Sequence, residues 1–155
     1  MQDTFETFKG INKIMILLVY EVIEKVAAAK KKADKINILK KNESWALKDV
    51  LRGTFDSTVV WNLPEGAPPY KAALEGTIPS NLLRRNTQFQ YFVKNGPGQK
   101  MNQVKREGIF IGLIESIHPK DAELVIAMIN KQKPTGISRA VVEEAFPGLL
   151  LDSQS

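Results

Sequence analysis

Between Ser80 and Arg106 the chain carries six cations, Arg84, Arg85, Lys94, Lys100, Lys105 and Arg106, and no acid, against seventeen Asp and Glu in the whole sequence. Phe89, Tyr91 and Phe92 are interleaved with them. Cations that track phosphates and aromatics that stack on bases are what a nucleic-acid backbone or single strand requires of a surface. The same residues serve a solvated basic face or a patch for an acidic protein partner, and composition leaves these readings open. On a helix, Phe89 and Phe92 share a face with Arg85, so at most one aromatic is free to stack. A second run, Lys30, Lys31 and Lys32, extends the surface only if the two segments meet in space.

The remaining chemistry-bearing residues form no recognisable machinery. His118 is the sole histidine and cysteine is absent. Multi-histidine metal sites, thiolate zinc, iron-sulfur clusters, disulfides and the usual catalytic triads are therefore excluded. The pairs Asp121/Glu123 and Glu143/Glu144 have the residue types for acid–base work or Mg²⁺ binding, but close neighbours on a helix point in different directions. "NGPGQK" at 95–100 lacks the spacing of a phosphate-binding loop and the Ser or Thr that follows its lysine, so it reads as a turn. No cofactor and no catalytic residue is expected.

Charge is unevenly spread. The net values are −1 over 1–23, +5 over 24–52, −2 over 53–79, +6 over 80–106 and −3 over 107–155. Blocks of this kind bear on partners rather than on fold. At 155 residues with 43% hydrophobic and 25% charged residues, the chain suits one folded domain. The apolar run Met15–Tyr20 is too short for a membrane span and has no cleavage site for a signal peptide. Met15 offers a second start codon, which would make residues 1–14 an appendage.

The elements that must position the basic residues are helical. Val19, Val22, Ile23 and Val26 repeat at helical spacing, predicting a helix over about 15–30 with Lys30, Lys31 and Lys32 in its last turn, where cations suit the dipole. A second helix runs through Ile36 and Leu39, and a third from Ser44 to a stop at Gly53. The proline-rich stretch 54–79 reads as a long loop, a rigid strap pinned by Trp61, Leu63 and Tyr70. A helix capped at Ser80 and running through Phe92 is favoured, although Phe89, Tyr91 and Val93 alternate as a strand would. The segment 101–117, apolar on most sides, reads as a central buried helix. Pro119 opens the next, and Ser138 caps the last before Pro147-Gly148. The expected fold is all-α, a single compact domain of five to seven helices over 19–150, with an N-terminal extension at 1–18 and a tail at 151–155.

"NLPEGAPPY" at 62–70, "VKREGIFIGLIESIHPKDAELVIAMINK" at 104–131 and "GISRAVVEEAFPGLL" at 136–150 resemble a family of small, functionally uncharacterised proteins of T-even-like tailed phages, notably those of cyanobacteria. The resemblance covers about residues 20–150. It implies a phage gene product, working in the cytoplasm of an infected bacterium or carried in the virion, and brings no activity, cofactor or site residue with it. Residues 1–18 depart from the family as an extension. The expectation is a non-enzymatic interaction protein that meets DNA, RNA or a nucleic-acid-processing protein of phage or host through its basic segments, with no membrane contact. The alternative is a virion or assembly component that self-associates through Phe5, Phe8 and the Met15–Leu18 run.

Overall fold

A computed structural model describes residues 16–152. It contains seven α-helices and one 3-10 helix: α1 (Val19–Ala28), α2 (Lys32–Lys41), α3 (Trp45–Phe55), α4 (Leu82–Arg85), the 3-10 helix Asn86–Phe92, α5 (Gln103–Glu115), α6 (Pro119–Ile129) and α7 (Arg139–Ala145). The fold is all-α. Among the described residues there is no β-strand beyond a single antiparallel bridge, and no helix is long and apolar enough to cross a membrane.

Local chemistry sets most of the boundaries. Ser44 Oγ, Asn81 Oδ1, Asn102 Oδ1, His118 Nδ1 and Ser138 Oγ each accept a backbone N–H from the first turn of α3, α4, α5, α6 and α7 respectively. Each satisfies a donor that a helix start would leave bare. His118 thus serves as the N-cap of α6. Pro119 opens α6 as expected.

The α1 start is different, because its N-cap residue is Leu18. The missing cap comes from a distant part of the chain: buried Asp121, in the first turn of α6, accepts the Tyr20 N–H through Oδ1 at 2.8 Å. Tyr20 stacks on His118 at 4.6 Å, so the two helix starts interlock. Burial pushes the Asp121 carboxyl up to about 6, against the opposing pull of the Tyr20 N–H and His118.

Packing joins α1 to α2 and α6, α2 to α7, α3 to α4, α6 and the 3-10 helix, and α5 to α6. One apolar core runs through them, with Val26, Leu39, Leu51, Phe92, Ile114 and Val142 fully shielded. Each such side chain contributes about 1.5–3 kcal/mol. The segment between α3 and α4 is the expected strap, and Trp61, Leu63 and Tyr70 rest on the core. Asn130 holds the strap at Gly66, accepting its N–H and donating to its carbonyl, while Glu115 accepts the Lys71 N–H.

Several expectations are corrected. Helix α3 does not stop at Gly53 but runs on to Phe55. Gly53 is there for closeness: a Cβ would lie 2.5 Å from Trp61 Cζ2 and 2.7 Å from Met128 Sδ. Residues 86–92 wind as a 3-10 helix, whose three-residue period puts Asn86, Phe89 and Phe92 on one buried face. Helix α5 buries one face only, through Arg106, Phe110, Leu113 and Ile114, and leaves Val104 exposed. Lys31 and Lys32 stand at the start of α2 rather than the end of α1. Part of the expected tail is anchored, since Leu151 N–H donates to Asp56 and Asp152 pairs with Arg139. At the other end, Leu17 packs on the core, while Phe5 and Phe8 lie outside the described residues.

Candidate functional site

The expected basic surface is dispersed. Arg84, Lys94, Lys100 and Lys105 are exposed, and Arg85 is half-buried with its Nε donating to Ser80 Oγ. Arg106 is corrected from a contact residue to a core residue, only 7% exposed. Its guanidinium donates to the carbonyls of Asn62 and Met101 at 2.9 Å and of Gly98 at 3.5 Å. It ties α5 to the strap and the 95–102 turn. Phe89 and Phe92 are core residues and Tyr91 is half-buried.

Lys30, Lys31 and Lys32 belong to another part of the surface. Lys30 and Lys32 border a hollow with Lys35 and the residues Gly136–Ser138. Lys32 pairs with Glu144 at 3.1 Å, and Lys35 is committed to the carbonyls of Val26 and Gly136. Helix α2 packs on α1 and α7, whereas α4, which carries Arg84 and Arg85, packs on α3. Lys30 and Lys32 thus border the start of α7, while Lys41 and Arg52 of the same charged block line hollows with Leu83 and with Asn86 and Gln90.

A different set of cations does converge. The Trp61–Val93 bridge, closed by Asn62 N–H on Phe92 O at 2.6 Å and Lys94 N–H on Val60 O at 2.8 Å, lays the strap beside residues 92–94. It fixes Trp61 and Lys94 on one groove. The opposite wall comes from the turn after α6. There Lys131 adopts a left-handed conformation, φ 57°, at the position after the helix cap where glycine is usual. Lys131 N–H on Met128 O and Gln132 N–H on Ala127 O close the turn. The resulting groove, of about 700 Å³, is lined by Lys94, Lys131, Lys133 and Arg139, by the acids Glu65 and Asp152, and by apolar residues that include Phe55, Trp61 and Leu63.

These four cations are not equivalent. Arg139 is committed, with Nη2 2.5 Å and Nη1 3.2 Å from the Asp152 carboxylate and further bonds to Glu143 and Phe55 O. That pairing, with Ser57 donating twice to Asp152, holds the Asp152 carboxyl well below the usual carboxylate range. Lys131 Nζ donates to Asp56 O at 2.8 Å, and burial pushes its pKa down. Lys133 lies over the Phe55 ring at 5.7 Å. Among the described residues neither Lys94 nor Lys133 makes an ion pair.

The carboxylate pairs do not assemble. Asp121 is buried while Glu123 is exposed, Glu143 pairs with Arg139 and Glu144 with Lys32. No cluster of three or more metal-ligating side chains occurs among the described residues.

Sequence reasoning missed Lys131 and Lys133, which sit in a segment of net negative charge, and took Trp61 for a structural pin only. Lys131 after Asn130 at a helix end carries a weak signal, but nothing local connects it to Lys94. A comparison with curated proteins gives no match. Residues 22–134, which include Trp61, Lys94, Lys131 and Lys133 but not Arg139 or Asp152, match the model of a family of unknown function, DUF6433, and the chain belongs to that family.

Proposed function

We propose that this chain is a non-enzymatic binding protein that holds single-stranded nucleic acid along the groove between the strap and the turn after α6. The observation that carries the reading is the convergence of Lys94, Lys131 and Lys133 from two distant segments over Trp61 and Phe55. Cations set beside the half-buried Trp61 ring suit a flexible polyanion with flat bases. The exposed Lys100, Lys105 and Arg84 supply further long-range attraction. The wording shared with T-even-like phage proteins supports a phage gene product working in the cytoplasm of an infected cell, and the nucleic-acid part of the reading rests on the groove alone.

The test is fluorescence anisotropy of a labelled DNA strand, RNA strand and duplex across a salt series. Two to three lysine–phosphate contacts give a log–log salt slope of about −1.5 to −2 on a single strand. The double variant K94E/K133E should abolish binding at about 50 mM salt, whereas R84E/R85E should weaken it only modestly. Equal losses from the two pairs, or no binding of any strand at low salt, would overturn the groove reading.

A further inference from the structure

Beside the lysine groove, and sharing Val59 and Trp61 with it, lies a second pocket of about 410 Å³ between α3 and the 3-10 helix. Trp61 and Phe89 form its apolar wall, edge to face at 6.2 Å. The Trp61 N–H donates to Gly53 O at 3.0 Å, so the indole is fixed in place. Asp49 and Arg52, three residues apart on one face of α3, supply its charged groups.

Each charged group keeps hydrogen-bonding capacity that the fold does not fill. Asp49 Oδ2 accepts the Asn86 amide at 2.8 Å, but Oδ1 accepts no hydrogen bond among the described residues. Burial pushes the Asp49 carboxyl up despite the Asn86 amide and Arg52, so a pair of N–H donors would relieve it. Arg52 Nε is buried without a hydrogen-bond partner, 3.5 Å from Asp56 Oδ2. That Nε faces its ion-pair partner Asp56, whereas the Nη groups of Arg52 make no hydrogen bond among the described residues and can take an acceptor in the pocket.

A flat ring that presents two adjacent N–H donors on one edge and acceptors on another satisfies both groups. Among the common bases only guanine does so: N1–H and the N2 amine match a carboxylate, and O6 and N7 match an arginine. We infer that this pocket receives a single guanine base, held against Trp61 and Phe89, with its donor edge on Asp49 and its acceptor edge on Arg52. Guanine is the residue of a bound strand that is splayed out of the groove; the inference rests on the single-strand reading only for that source. A free guanine nucleotide presents the same chemistry.

The experiment is an NMR titration of the full chain with GMP, AMP, CMP and UMP, read at the Trp61 indole N–H, alongside anisotropy with strands that contain or lack guanine. GMP should shift the Trp61 signal at concentrations at least about tenfold below the other three nucleotides. D49N should erase that preference while leaving the circular dichroism spectrum unchanged. T87F, which fills the mouth from an exposed position, should block GMP even if D49N misfolds. GMP selectivity with strand binding that favours guanine identifies a strand base. GMP selectivity without strand binding retains the pocket, as a nucleotide site, and removes the groove reading. No GMP shift, or equal shifts from all four nucleotides, overturns the pocket and leaves the groove reading standing wherever strands still bind.

Discussion

Replacing Asp121 with asparagine probes the interlock between α6 and α1 through its pH dependence. The folded carboxyl is raised to about 6, whereas an unperturbed aspartate titrates at 3.8. A folded value above the unfolded one means that the carboxyl's contribution is fully present below about pH 4 and lost as pH rises through about 6. At about 1.4 kcal/mol per pH unit, the gap is worth about 3 kcal/mol. D121N keeps an oxygen to accept the Tyr20 N–H but does not titrate. Its amide NH₂ lands where Asp121 Oδ2 is buried without a partner, a cost of about 1–3 kcal/mol that is the same at every pH. The stability difference between variant and wild type should therefore move by about 3 kcal/mol in favour of the variant between about pH 3 and 7.5, or about 6–12 °C in melting temperature. Urea unfolding followed by circular dichroism across this range reads the difference, and the constant offset drops out. Stability–pH curves that run parallel for the two proteins would refute the reasoning.

Gly108 and Gly112 sit exposed on α5 with nothing within 4 Å of an added Cβ, so G108A/G112A should raise stability by about 2 kcal/mol in thermal or urea melts. The same change at Gly53 should destabilise by about 1–3 kcal/mol, because the rigid Trp61 ring must move, and it should displace the Trp61 indole N–H resonance. R106Q should cost about 3 kcal/mol or more in urea unfolding, since carbonyls of the strap and the 95–102 turn lose their donor inside the fold. At Asp56, burial raises the carboxyl, but the N–H of Leu151 and both Thr58 donors outweigh it and leave the pKa lowered. Its stabilisation is present above about pH 4 and lost on further acidification, so wild type should lose more stability than D56N below that point in acid-titrated unfolding curves.

Sequence alone determined a good deal here. Period and caps were enough for the helical class, for the cores of α1, α2 and α6, for Pro119 at the start of α6 and Ser138 at the start of α7, because capping and amphipathicity act over three or four residues. The strap and its three apolar pins followed from prolines that forbid a helix and large side chains that must be buried. What the chain could not reveal locally is where its charges end up. Arg106 looks like its neighbour Lys105, yet one is sealed against three carbonyls and the other is in solvent, a distinction made by the strap forty-four residues away. Lys131 and Lys133 are hidden in a net-acidic segment, and Glu143 and Glu144, which mask them, are turned to other partners by α7. Asp121 caps a helix one hundred and one residues earlier in the chain. In each case the deciding term is desolvation or pairing by groups distant in sequence. Those energies exist only once the helices have packed, and so only the tertiary structure could decide them.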